Sequence, residues 1–254
     1  MPRETLVGAA WVLPVLSPPL REGGVLVRDG RIVAVGPFEE LRGSASPAAV
    51  QNLGDAIVLP GLVNAHTHLS LTALAPHIPR DIPLLRWLAT VTGEARAMSE
   101  EDVRRSVQEG LEMSWRAGTM ALGEITTRPE GVSVIAGDAR FSSRIYFEFV
   151  GVSLERCERR FESAMEAAVS LRRAAPHIRP GLSPHAPYSV WPTFWSRAVS
   201  VCREHDFRWS THLAESPYER TFMEEGRGPL REYLERWGVW DDAFPVPGMN
   251  AVPL

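Results

Sequence analysis

The chain contains no lysine: all 27 of its Lys and Arg positions are arginine. That absence excludes Schiff-base chemistry, a phosphate-loop lysine and any lysine general base. Cysteine is nearly as scarce. Cys157 and Cys202 are too few and too far apart for a disulfide framework or a CxxC redox pair, and read as free thiols in a reducing cytoplasm. No apolar run approaches the ~20 residues of a membrane span. Pro14, Pro18 and Pro19 interrupt the stretch that a signal peptide would need, so the expected location is cytoplasmic. Clustered basic charge is also missing; the signs are mixed and the formal net charge is -4, which predicts no nucleic-acid partner. H-E-x-x-H and G-x-S-x-G do not occur, which leaves zincin and serine-hydrolase readings without support. The H-x-E and P-C-x-x-C pair of cytidine-type zinc deaminases is absent too.

What is present is enough for a sizeable core: 254 residues, 44% of them apolar. Residues 1–60 read as a small β domain, expected to be β-sandwich-like, and residues 61–254 as a second domain. Val25-Leu26-Val27 and Arg31–Val35 flank Asp29-Gly30, a dipeptide that favours the positive φ angles of a tight hairpin turn. A polar, small-residue stretch runs from Arg42 to Ala49, and Ala56–Leu59 reads as a further strand stopped by Pro60-Gly61.

Beyond Pro60 the period changes. Strands are predicted at 62–65, 120–125, 143–150, 178–183 and 207–213, and helices near 82–95, 100–117, 154–174, 192–204 and 217–225. Ser99 with Asp102 three residues on is close to a capping box. Strand–helix alternation argues a parallel sheet and fits part of a (β/α)8 barrel. A doubly wound sheet gives the same alternation, so the pattern alone leaves the two open.

Chemistry concentrates at three strand ends. Val63-Asn64-Ala65-His66-Thr67-His68 closes the first. Residues i and i+2 of a strand point to one side, so His66 and His68 can present two imidazoles to one point, a pairing that suits zinc or iron(II). Trp209–Glu215 closes another, with His212 as a third ligand. Glu215, where the chain turns off the strand, is placed to move a proton between a metal-activated water and a leaving group. In Ser183-Pro184-His185-Ala186-Pro187-Tyr188, prolines on both sides of His185 stiffen the backbone and orient a side chain that could bind substrate. Taken singly each of these has a plainer explanation: surface or core histidines, and a glutamate at a helix start.

Together and in this order they resemble the amidohydrolase superfamily. Pro60–His68 resembles its opening motif, and Ser183–Tyr188 with His212-Leu213-Ala214-Glu215 resembles its chlorohydrolase and aminohydrolase branch. The resemblance covers essentially the whole chain. It implies an α/β fold of the TIM-barrel type, metal ligation by His66, His68 and His212, a proton-shuttling Glu215, and substrate contact by His185. Glu94, in the Trp87-Leu88 to Glu94 stretch, is placed by the same resemblance at an acid that binds a ribose in nucleoside deaminases. The implied cofactor is one divalent metal, zinc before iron(II). The implied reaction is hydrolysis of a C–N bond in an aminated heterocycle, with a small molecule as partner and a homo-oligomer left open. The superfamily's other large branch bridges two metals with a carboxylated lysine, which a lysine-free chain cannot supply.

Members of the branch carry a further barrel histidine and a final aspartate that this sequence does not provide. The expectation is therefore a truncated product with an incomplete barrel and little turnover. The competing reading is a catalytically inactive remnant that serves as a metal-binding or interaction protein.

Overall fold

The structure, a computed structural model, describes residues 4–45 and 49–250. The chain divides into two compact units between Leu62 and Val63.

In the first unit, β1 (Glu4–Val12), β2 (Leu20–Arg28) and β3 (Arg31–Pro37) form an antiparallel meander. Strands β4 (Ala49–Asn52) and β5 (Ile57–Val58) add to β1 in parallel, giving a five-stranded mixed sheet. Asp29 and Gly30 turn the β2–β3 hairpin with φ of 50° and 75°, both in the left-handed region that the dipeptide predicts. The Arg42–Ala49 stretch is not simply a polar connection. Helix α1 spans Phe38–Ala45, because Phe38 and Leu41 give it an apolar side that packs on Leu6 and Leu26. Gly8 makes room for this packing, since a Cβ there would lie 2.4 Å from the Phe38 ring. Residues 46–48 of the stretch lie outside the described residues.

The second unit holds β6 (Leu62–Thr67), β7 (Thr119–Thr126), β8 (Ser142–Phe149), β9 (Arg179–Pro184) and β10 (Arg208–Trp209), neighbours in chain order. The pairs from β7 to β10 are parallel. Unbroken chain order decides what the sequence left open: a doubly wound sheet reverses its order at a switch point, whereas a barrel does not. The sheet is a curled part of a (β/α)8 barrel.

Helices α2 (Leu84–Ala97), α3 (Glu100–Arg116), α5 (Leu154–Ala174), α6 (Thr193–Glu204) and α7 (Pro217–Glu225) fall where the helical period predicts them. The short α4 (Val132–Ala136) and α8 (Pro229–Arg236) are additional. Ser99 Oγ accepts the Asp102 amide and Asp102 Oδ2 accepts the Ser99 amide, each at 3.1 Å, so the capping box closes and α3 starts there. The core lies on the helix side of the sheet. Ile145, Phe147 and Phe149 alternate along β8 and meet Phe161, Ala164, Ala168 and Leu171 at helical spacing on α5. On the opposite face of β8 stand Arg144, Tyr146 and Glu148, all half-buried or nearly buried.

One strand differs from expectation. Instead of residues 207–213, β10 covers only Arg208–Trp209. The chain still runs beside β9, with the Ser210 amide on the Leu182 carbonyl at 3.1 Å and the His212 amide on the His185 carbonyl at 2.8 Å. Pro184 and Pro187 have no N–H to continue a ladder in return, so regular pairing stops.

Candidate metal centre

Three imidazoles converge at the exits of β6 and β10. His66 Nε2 lies 3.2 Å from His68 Nε2 and 3.1 Å from His212 Nε2. Zinc–nitrogen bonds of about 2.0–2.1 Å in a tetrahedral site set donors roughly 3.3 Å apart, so the spacing fits one ion. The rings are held from behind. His212 Nδ1 lies 3.1 Å from the His185 carbonyl, and the His68 ring faces the backbone of Ile125. A ring that donates through one nitrogen keeps a lone pair on the other, which is how backbone carbonyls orient metal-ligating histidines. Burial, with the neighbouring rings second, pulls His68 down to about 4; burial and His212 also lower His66. Neutral imidazoles with lone pairs turned toward one another repel unless a cation lies between them. The donor set therefore fits a divalent ion such as zinc.

His185 adjoins this cluster. Its ring centroid is 4.8 Å from that of His212, and its Nδ1 lies 2.6 Å from Ser189 Oγ. Burial is the main reason that it is pulled down to about 3. Glu215 follows Ala214, whose φ of 57° turns the chain off the strand line. The Glu215 carboxylate accepts a hydrogen bond from the Tyr188 hydroxyl at 2.8 Å, and its amide donates to Glu219 Oε2 at 2.9 Å. Glu94 lies exposed on α2, and its side chain takes part in no hydrogen bond or ion pair among the described residues.

Two carboxylates belong to this region that the sequence reading passed over. Glu148, near the end of β8, has a side chain only 9% exposed, and its Oε1 lies 3.9 Å from His212 Nδ1. Burial, then the charge of Glu215, raises it to about 8. Glu148, His185 and His212 form a second group whose ligand atoms lie within 4.8 Å of one another. Glu124 on β7 is 1% exposed and raised to about 8, again by burial. Both were legible as acids inside otherwise apolar strands, a position where a charge needs a reason.

Residues 57–239 match the amidohydrolase family, and the chain belongs to it. Residues 23–45 also match a bacterial imidazolonepropionase-like composite domain. The chain is 28% identical over 232 residues to a 5-methylthioadenosine/S-adenosylhomocysteine deaminase of Nitratidesulfovibrio vulgaris, covering 86% of this chain and 50% of the relative. It is 28% identical over 225 residues to an aminodeoxyfutalosine deaminase of Deinococcus radiodurans, covering 88% and 50%. Among solved structures, the Helicobacter pylori aminofutalosine deaminase bound to methylthio-coformycin matches with a TM-score of 0.81 at 22% identity, over 97% of this chain and 60% of that one. A zinc-bound adenosine deaminase from Xanthomonas campestris matches with a TM-score of 0.74 at 27% identity, over 92% and 55%. The chain thus spans about half the length of the curated relatives it matches.

Proposed function

We propose that the protein is a metal-dependent hydrolase of C–N bonds that deaminates an aminated heterocycle of the purine-nucleoside kind. The observation that carries this reading is the approach of His66 Nε2 to His68 Nε2 at 3.2 Å and to His212 Nε2 at 3.1 Å, all three ligand atoms within 4.8 Å of one another, with Glu215 three residues after His212. The three histidines would hold one zinc ion, with iron(II) as the other candidate. When bound, the metal supplies acidity to a water, lowering its pKa toward neutrality. Glu215 takes up a proton at its carboxylate and returns it to the departing amine. Tyr188 donates to Glu215 Oε2 and fixes the direction in which that carboxylate points. His185, neutral because it is buried, offers a hydrogen bond to the substrate. Glu94, exposed on α2, is proposed to reach a ribose hydroxyl.

The curated relatives' substrates, 5-methylthioadenosine, S-adenosylhomocysteine and aminodeoxyfutalosine, name the compounds to try first. No helix among the described residues is long and apolar enough to cross a membrane. Cys157 and Cys202, both buried and unbridged, suit a cytoplasmic setting.

The test is a zinc titration followed by an ammonia-release assay on those nucleosides. One zinc per chain and slow release of ammonia from at least one of them are expected, with release abolished by His66→Ala and Glu215→Gln. A chain that binds no zinc, or binds it without turnover on any aminated purine, overturns the proposal.

A further inference from the structure

The His66–His68 arm is followed at once by a turn of 3₁₀ helix, Leu69–Leu74, for which His68 stands at the N-cap without offering a side-chain hydrogen bond. The first amides of any helix lack partners within it. Here the cap comes from the adjacent strand. Glu124 Oε2 accepts the Leu69 amide at 2.9 Å, with the Ser70 amide next in the chain. The next residue on β7, Ile125, turns its backbone toward the His68 ring. The residue before, Gly123, lets β6 come so close that a Cβ would lie 2.1 Å from the Ala65 carbonyl oxygen. From the other side Ser106 on α3, fully buried, donates to the Leu69 carbonyl at 2.9 Å and accepts the Ala73 amide at 3.0 Å.

Burying a carboxyl group costs free energy unless its bonds repay it, and Glu124 Oε1 has no hydrogen-bond partner. A merely apolar strand would have filled the place more cheaply. We infer that Glu124 is a positioning residue for the metal centre: it clamps the backbone immediately after His68, so that the His68 ring meets His66 and His212 at bonding distance. This rests on the metal reading above. Nothing in it requires Glu124 to touch metal or substrate. Its work is to accept the Leu69 amide, which a neutral isostere can also do.

The test compares Glu124→Gln with Glu124→Leu by cobalt(II) titration, the visible cobalt spectrum, and amide hydrogen exchange of the metal-free protein. The Gln variant should keep the cobalt spectrum and an affinity within about threefold, because its side-chain carbonyl accepts the same Leu69 amide. The Leu variant should lose about 10–100-fold in affinity, the range for partners that orient a ligand, with an altered spectrum and fast exchange at Leu69 and Ser70. If the Leu variant does not fold, Glu124→Ala, which overfills nothing, takes its place. A purely structural role would lower the thermal stability of the metal-free protein and leave the spectrum of the bound cobalt unchanged. That result overturns the inference, as does wild-type affinity in the Leu or Ala variant. A wild-type chain that takes up no cobalt defeats the metal reading instead. The clamp is then judged on exchange alone: protection of Leu69 and Ser70 in the Gln but not the Leu variant supports it, and equal protection in both overturns it.

Discussion

His66 Nε2 and His212 Nε2 lie 3.1 Å apart although 146 positions separate them in the chain. His66 is on β6 and His212 lies three residues past the end of β10, at opposite ends of the order β10-β9-β8-β7-β6, so only a curled sheet brings them together. Losing either ring should cost more than the ~10–100-fold that loss of an orienting partner costs. His66→Ala and His212→Ala are therefore expected to fall from one bound zinc to almost none at micromolar metal. Elemental analysis after dialysis checks this; stoichiometric zinc kept in both variants would place the metal away from all these histidines, whereas zinc kept in His66→Ala and lost in His212→Ala would point to Glu148, His185 and His212.

The hydrogen bond from the Tyr188 hydroxyl to Glu215 Oε2, at 2.8 Å, makes a separable prediction. A hydrogen bond to a charged group is worth about 1.5–3 kcal/mol, or roughly 10–100-fold in rate when the charged group moves the proton. Tyr188→Phe should lower kcat by that factor and leave zinc affinity where it was. A variant whose zinc affinity falls together with kcat would show that Tyr188 supports the fold of the centre rather than the direction of Glu215.

At Gly123 the neighbouring strand is too close for any side chain. A Cβ would stand 2.1 Å from the Ala65 carbonyl oxygen and 2.7 Å from its carbon. The obstacle is backbone, so it cannot rotate away. Gly123→Ala should push β6 off β7, destabilise the protein by about 1–3 kcal/mol as overpacking does, and weaken zinc binding through the displaced His66 and His68. Denaturant unfolding beside a zinc titration measures both effects; wild-type values for the two would contradict the close approach.

Away from the centre, Arg140 binds Asp138 Oδ2 at 2.8 Å and Glu112 Oε2 at 3.0 Å. These bonds hold both acids below their usual values of 3.8 and 4.5, hydrogen bonding to Arg140 being the largest cause for each. A carboxylate whose pKa is lowered by folding contributes stability above its unfolded pKa and loses it as pH falls through the folded one. Arg140→Gln should therefore lower the Tm at pH 7, with the difference from wild type shrinking below about pH 4 and vanishing near pH 2. A difference that persists at pH 2 would assign the effect to the packing of Arg140 over Trp115, 5.3 Å from the ring centroid, instead of to charge.

Local rules were enough for much of the fold. Asp29-Gly30 demanded a left-handed turn, Ser99 and Asp102 demanded a helix start, and the 3.6-residue spacing of Phe161, Ala164, Ala168 and Leu171 demanded a buried helix face. The histidine positions were equally legible, because a strand's two-residue period puts His66 and His68 on one side whatever the sheet does. The amino-acid sequence by itself thus determined most strands and the longer helices of the second unit, and which side chains could ligate a metal. Helix α1 was hidden because only Phe38 and Leu41 mark its apolar side, and their partners Leu6 and Leu26 are distant in sequence. The strand order, which strand–helix alternation left open between barrel and doubly wound sheet, the end of β10 at Trp209, and the recruitment of Glu124 and Glu148 were decided by tertiary structure. Each depends on which strand lies beside which. Period and propensity act within a few residues, whereas a hydrogen bond such as that from Leu69 to Glu124 joins residues 55 positions apart and exists only once β6 and β7 are neighbours.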